Sequence, residues 1–385
     1  MRTWIFGGYI YDTERRDFLR GGLLIADGII EAIIPEGDPI PAHDHTIDAS
    51  GKMLFPGMID VHTHGRAGYD FNTADQQGMA HMAKSYLSSG VTTLMPTLAS
   101  APYDDLCTAS DYIMSLAQTE QCSCFAGVHL EGRFLNPAKR GAHAAELLAA
   151  LDAEELKDLL SHMPAPCHIS AAWELDGDGS FAAVAKAHGA TMGLAHTCAD
   201  TVQANHAIEN GVVSFTHLFN AMPPLHHRAG GAACVALTTP QTYAELICDG
   251  MHICPEMVKM AYLCKGDNRL VLITDSMEAT DGVDGEYSIA GMKVIVKDGK
   301  ALTTDGALAG STLNLWDGVK NLAKFADIPF VNAIRCATYT PACMVGLENK
   351  VGSLAVGKQA DILIAEEIDG DMVLCSVIKN GRVVA

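Results

Sequence analysis

The sequence predicts an α/β chain built as a (β/α)8 TIM-type barrel with a small β-sandwich domain contributed by both termini. Three observations predict it. Between residues 53 and 351, short apolar runs alternate with helical stretches, the rhythm of parallel βα units. Eight such runs can be counted, the number that closes a barrel. The two ends read differently, as short strands separated by Gly-containing turns.

Taken in order, TWIFGGYIYD (3–12) and GGLLIADGIIEAII (21–34) are the N-terminal strands. ADILIAEEI (360–368) and DMVLCSVIKNGRVVA (371–385) repeat their style, with Asn380-Gly381 as a hairpin turn. Residues 1–52 and 352–385 are therefore expected to form the small domain, and 53–351 the barrel. The barrel runs are MLFPGMIDVH (53–62), VTTLMPTLA (91–99), CFAGVHLEG (124–132), CHISAAWE (167–174), TMGLAHT (191–197), VVSFTHLFN (212–220), YAELICDG (243–250) and LVLITDS (270–276). Helical patterns fall at 76–90, 144–162, 180–189, 198–211 and 254–266. Residues 287–304 read as a β excursion, and helices follow around 312–326 and 330–338.

Composition narrows the function classes. Apolar residues make up 49% and charged residues 19%, which excludes wholesale disorder. A net charge of −20 repels a polyanion, so no nucleic-acid partner is expected, and a phosphate ligand needs a local cationic pocket. No apolar run is long enough to span a membrane. The N-terminus lacks a signal-type apolar segment, so a cytoplasmic location is expected. The twelve cysteines lie largely in apolar stretches and read as buried side chains of a reducing compartment.

The chemistry lies at the ends of the apolar runs. Strand ends carry chemistry when they hold ligand-type residues at a barrel's C-terminal mouth. Here they hold Asp60, His62 and His64, then His129 and Glu131, then His196, then His217, then Asp249 and His252, then Asp275. Imidazole nitrogens with a carboxylate suit a borderline divalent metal with an open position for water. Such a metal lowers the pKa of water, and a nearby carboxylate can take the proton; Asp275 is the natural base. The ordinary alternatives are satisfied polar strand ends, and for Asp275 a structural cap. His62 and His64 alone say little, because period-2 spacing merely puts both rings on one strand face.

The blocks PGMIDVHTHG, HLEGRFLNPAKRGAH, GLAHT, THLFNAMPPLHHR, CDGMH, ITDSMEAT and LAGSTL resemble the amidohydrolase superfamily. Within it they are most similar to the N-acetylglucosamine-6-phosphate and N-acetylgalactosamine-6-phosphate deacetylases, over the whole chain. The resemblance implies metal ligands at Glu131, His196 and His217, with His62 and His64 matching a pair that some members use for a second ion. It implies substrate contacts at Ala142, His143, Asn220, Ala221, Arg228, Asp249, Gly250, Met251, His252, Leu308, Ala309 and Gly310, and a catalytic carboxylate at Asp275. His143 would polarise the acetamide carbonyl as a second catalytic group. Arg228 would be a guanidinium fork for phosphate.

The implied cofactor is one or two divalent ions, zinc first, with iron, manganese or cobalt as alternatives. The implied partner is a phosphorylated N-acetyl amino sugar, and the implied assembly a homodimer in which Arg228 or His252 serves the neighbour. The implied reaction is deacetylation of an N-acetylhexosamine 6-phosphate; other anionic N-acyl amines are the runner-up substrates, and a non-catalytic scaffold the contrasting class. No strand tip offers a lysine for a carbamylated bridging ligand.

The sequence also departs from the family pattern. Arg133 stands where Pro is usual, Arg66 where small residues are, Trp173 where Pro is, Thr340 where Asn is, and Ala229-Gly230-Gly231 follows Arg228 in place of an acid and Pro. If the strand continued past Gly132, Arg133 would share the inward face of Glu131 and add positive charge near the acyl end of the substrate. If the chain turns at Gly132, Arg133 meets solvent or an acid.

Overall fold

The computed structural model describes residues 1–289, 291–304 and 306–385. Among them, eight parallel strands form the barrel: β1 (Met58–Thr63), β2 (Val91–Ala99), β3 (Val128–Glu131), β4 (Cys167–Ala171), β5 (Thr191–Leu194), β6 (Ser214–Phe215), β7 (Tyr243–Ile247) and β8 (Leu270–Ile273). They pair in sequence order. His129 sits beside His168 and Glu131 beside Ser170 across β3 and β4, so polar layers line up around the ring. The ring closes at its ends where the Asp275 N–H donates to the His62 carbonyl at 2.9 Å. Buried Asp60 strengthens that seam by accepting from the Thr274 hydroxyl at 2.5 Å.

The strands are almost wholly buried and mostly apolar, as in β2 and β8, with a few polar side chains such as His129, His168 and Glu245 turned into the barrel. Helices α1 (Gln76–Ser88), α2 (Tyr103–Leu116), α3 (Ala153–Ser161), α4 (Ser180–His188), α5 (Thr201–Glu209), α6 (Gly231–Thr238), α7 (Pro255–Lys265) and α8 (Leu315–Ala326) cover them. Asp75 caps α1, and Asp200 with Gln203 forms a capping box on α5. The stretch 144–162 is not one helix. Asp152 accepts from the N–H groups of Glu154 and Glu155, which starts α3 there and leaves only a single turn at Ala145–Leu147. Helices α2 and α6 lay outside the helical patterns read above; α6 is apolar nearly all round and buried, so it lacks the amphipathic signal.

The termini form one continuous sheet. Its strand order is Arg382–Val383, Asp371–Lys379, Ile362–Ile368, Met53–Pro56, Arg2–Asp12, Asp17–Ala26, Ile29–Pro35, with His45–Asp48 alongside Arg2–Asp12. Met53–Pro56, read above as the head of the first barrel strand, pairs instead with Ile362–Ile368. The sheet encloses its own core of Ile5, Leu23, Ile30, Leu54, Ile362 and Ile378. After β8, Gly285–Ile289, Met292–Lys297 and Lys300–Thr303 form the separate three-stranded excursion that the sequence indicates.

Candidate active site and metal centre

His196, His217 and Asp275 are each the second residue beyond a barrel strand, and each has a positive φ (43°, 33° and 48°). That conformation is unfavourable for a non-glycine residue and is typical of functional turns. The sharp turns bring all three side chains into the mouth beside Glu131, the last residue of β3. Glu131 Oε1 lies 2.8 Å from His217 Nε2 and 3.2 Å from His196 Nε2, and the two imidazole nitrogens are 3.1 Å apart. Glu131 Oε2 faces the other pair, 2.9 Å from His64 Nε2 and 3.3 Å from His62 Nε2. Asp275 Oδ1 stands 3.3 Å from His64 Nε2 and 3.6 Å from His62 Nε2.

These residues fit a cation. His196 Nδ1 lies 2.8 Å from the Lys139 carbonyl, which can only accept, so in the neutral ring Nε2 carries a lone pair aimed at Glu131 and His217. Lone pairs and a carboxylate oxygen converging within about 3 Å repel one another unless a positive charge lies among them. His62 Nε2 is buried with no hydrogen-bond partner. Among the described residues, potential ligand atoms lie within 4.8 Å of one another in two groups: His62, His64, Glu131 and Asp275, and Glu131, His143 and His196.

The electrostatics agree. Burial disfavours a charged His64, but Asp275 and Glu131 outweigh it and lift its pKa to about 9. Burial likewise opposes ionisation of Glu131 and Asp275, yet the surrounding imidazoles hold both carboxyls below their usual range. The site concentrates negative potential that protons or a dication can neutralise.

Beneath the mouth lies a support layer. Glu245, on β7 and wholly buried, lies 3.2 Å from His62 Nδ1 and 3.3 Å from His168 Nε2. His129 bonds Ser170 Oγ at 2.8 Å and Thr97 Oγ1 at 3.1 Å. Burial foremost, with His62 and His168 nearby, keeps His129 neutral. The sequence reading passed over Glu245; its signal was a carboxylate inside the otherwise apolar run YAELI.

A cavity of about 430 Å³ opens over the cluster. Of the expected residues, His64, Glu131, Ala142, His143, His196, His217, Asn220, Ala221, His252, Asp275, Leu308, Ala309 and Gly310 line it. Lys139 and Ile289 line it too, and neither was expected. Gly141 also faces the cavity, and a Cβ there would come 3.1 Å from the His196 ring, at a φ of 56°. His62 lies behind the lining, against Glu245. Asp249 sits beneath His252, 2.7 Å from its Nδ1, and Met251 is exposed. Gly250 stands against Phe325. Arg228 is exposed, with its guanidinium 2.6 Å from His227 Nε2, and is absent from the lining.

Neither additional arginine enters the cavity. The chain turns at Arg133, with φ 42°, and its guanidinium pairs with Glu155 at 2.7 Å. Arg66 is buried against Asp281 at 2.6 Å and over the Tyr86 ring. Trp173 donates to the Gly193 carbonyl, and Thr340 to the Asp267 carbonyl, so both are structural. The extra positive charge near the acyl end is therefore not found.

Comparison with known proteins places this geometry. The amidohydrolase family model matches residues 53–384. An N-acetylglucosamine-6-phosphate deacetylase of Vibrio furnissii is 33% identical over 83% of this chain and 81% of its own. An N-acetylgalactosamine-6-phosphate deacetylase of Escherichia coli O157:H7 is 33% identical over 89% of each chain. The crystal structure of the N-acetylglucosamine-6-phosphate deacetylase of Pasteurella multocida superposes with a TM-score of 0.90 at 28% identity, covering 100% of this chain and 99% of that one. A Mycobacterium smegmatis deacetylase mutant in complex with N-acetyl-D-glucosamine-6-phosphate superposes at 0.88, with 29% identity and coverage of 100% and 99%. The chain belongs to the amidohydrolase family, among relatives named as deacetylases of N-acetylated hexosamine 6-phosphates.

Proposed function

We propose that this protein hydrolyses the acetamide of an N-acetylhexosamine 6-phosphate, N-acetylglucosamine 6-phosphate first, to the amino sugar phosphate and acetate. The observation that carries this reading is the convergence of His196, His217 and Glu131 on one point at the floor of a sugar-sized cavity. We assign Glu131, His196 and His217 as ligands of a divalent ion, zinc by donor preference with iron, manganese or cobalt as alternatives, and His62 with His64 as the place of a second ion. When bound, the ion supplies Lewis acidity toward the amide carbonyl and lowers the pKa of water.

The chain's own residues do the rest. Asp275, kept ionised by the imidazoles around it, accepts the proton of the attacking water and passes it to the departing amine. His143 donates to the carbonyl oxygen as negative charge grows there. Asp249 holds His252 by Nδ1, so that its other nitrogen is free for the substrate's anionic end. The Ala221 backbone N–H and the Lys139 ammonium add donors for that end, whereas the Asn220 N–H is turned inward to the His217 carbonyl at 2.9 Å; Leu308, Ala309 and Gly310 flank the sugar. Exposed Arg228 would complete the phosphate site of a neighbouring subunit in a homodimer. Residues 57–351 would act as the catalytic domain, with 1–56 and 352–385 as its support, since Met53–Pro56 belongs to the terminal sheet.

Twelve cysteines without a disulfide suit a reducing, cytoplasmic setting. Among the described residues, no helix is long and apolar enough to cross a membrane. The galactosamine relative supports the galacto epimer as a second reading. The test is a side-by-side comparison of kcat/KM on both epimers and on the unphosphorylated sugars. A phosphorylated N-acetyl sugar should win; equal rates on the unphosphorylated sugar would remove the phosphate from the proposal.

A further inference from the structure

We infer that Ser100 is a positioning residue whose hydroxyl fixes His143 as the Nε2–H tautomer, the form that can donate to a substrate carbonyl. The inference rests on the reading of His143 given above. Ser100 follows β2 and is buried. Its Oγ lies 2.9 Å from His143 Nδ1. Two backbone N–H groups, which can only donate, decide the direction of that bond. The Arg133 N–H donates to Ser100 Oγ at 2.8 Å. The hydroxyl, having accepted there, turns its own hydrogen to the remaining neighbour, His143 Nδ1. The Ser100 N–H also points at His143 Nδ1, at 3.4 Å.

A protonated Nδ1 would face that N–H with a second N–H. An unprotonated Nδ1 accepts from both groups. The ring's proton is then on Nε2, on the side of the metal centre, 3.9 Å from Glu131 Oε2. The opposite tautomer would present a lone pair to the carbonyl oxygen and repel the charge that builds there. Arg133 thus acts through its backbone. A proline at that position would lack the N–H, and its ring could not adopt the observed φ of 42°.

The test reads the tautomer directly. Zinc-loaded protein carrying ¹⁵N-histidine is examined by long-range ¹H–¹⁵N correlation, with His143 identified by the signals lost in His143→Gln. The expected result is an unprotonated Nδ1 and a protonated Nε2 in the wild type. In Ser100→Ala the two tautomers should mix, with kcat falling about tenfold while KM stays within about twofold. Ser100→Thr, which keeps the hydroxyl, should restore both the spectrum and kcat. A protonated Nδ1 in the wild type overturns the inference, as does an unchanged tautomer in folded Ser100→Ala. If Ser100→Ala does not fold, the wild-type spectrum alone decides. Full turnover by His143→Phe, whose side chain has no donor, would instead overturn the carbonyl-donor role, whatever the tautomer.

Discussion

The Nε2 atoms of His196 and His217 lie 3.1 Å apart, and both face Glu131 Oε1. The two rings come from adjacent barrel strands and meet nearly perpendicular, at 87°. Such an approach leaves the nitrogens aimed at a common point. Glu131→Gln removes the charge at that point and keeps the shape. Metal content should fall from one or more ions per chain toward zero in dialysed protein, a loss of about 10²-fold in affinity. Circular dichroism should stay native, because the barrel core does not depend on the site. Full metal retention would remove Glu131 from the ligand set.

Asp275→Asn should keep the metal and lose at least about 10²-fold in turnover, the usual cost of removing a general acid–base group. Asn tolerates the positive φ found there, so the turn is preserved. The seam between Asp275 N–H and the His62 carbonyl is also unaffected. Elemental analysis beside steady-state kinetics checks both halves of the expectation.

Chelated protein should lose stability as pH rises from about 6.5 to about 9. His64 is the reason: its folded pKa of about 9 lies above the ordinary value of 6.5. In that window the folded state binds more protons than the unfolded one, so stability falls with rising pH. Its contribution is fully present below pH 6.5. Melting temperatures of the chelated protein at pH 6.5 and pH 9 test this, and a higher value at pH 9 would contradict it. Metal loading should release protons at neutral pH and flatten the trend, because the ion replaces them.

The barrel was legible because buried parallel strands are mostly apolar, so each ligand-type residue at a strand end stood out. Glu131, His196, His217 and Asp275 were all found this way. Glu245 was not, because a charge in mid-strand carries no family motif and gains meaning only when His62 and His168 arrive from other strands. Lys139 sits in a turn, and only folding brings it over the cavity. Arg133 could not be assigned from spacing, since strand alternation ends where the chain turns at positive φ. Met53–Pro56 reads like the barrel strand that follows it, and only its partner Ile362–Ile368 decides its sheet.

The two additional arginines should separate in their effects. Arg133→Ala should leave KM unchanged, because its guanidinium meets Glu155 outside the cavity. Arg66→Ala should destabilise by about 2 kcal/mol, since it removes a buried side chain together with its bonds to Asp281 and Ser89 and its contact with the Tyr86 ring. Denaturant midpoints and Michaelis kinetics on both variants check the contrast. A lowered KM in Arg133→Ala would return that residue to substrate selection.

The central claim is that Glu131, His196 and His217 hold the ion on which hydrolysis depends. The most direct measurement is acetate release from N-acetylglucosamine 6-phosphate and its galacto epimer by one preparation, first metal-loaded, then chelated, then reloaded with zinc, with circular dichroism recorded at each stage. The account predicts stoichiometric acetate and free amine, loss of at least about 10²-fold on chelation with the fold intact, and recovery on reloading. Undiminished acetate release by the chelated protein, or none from either epimer by the folded, metal-loaded protein, would contradict it.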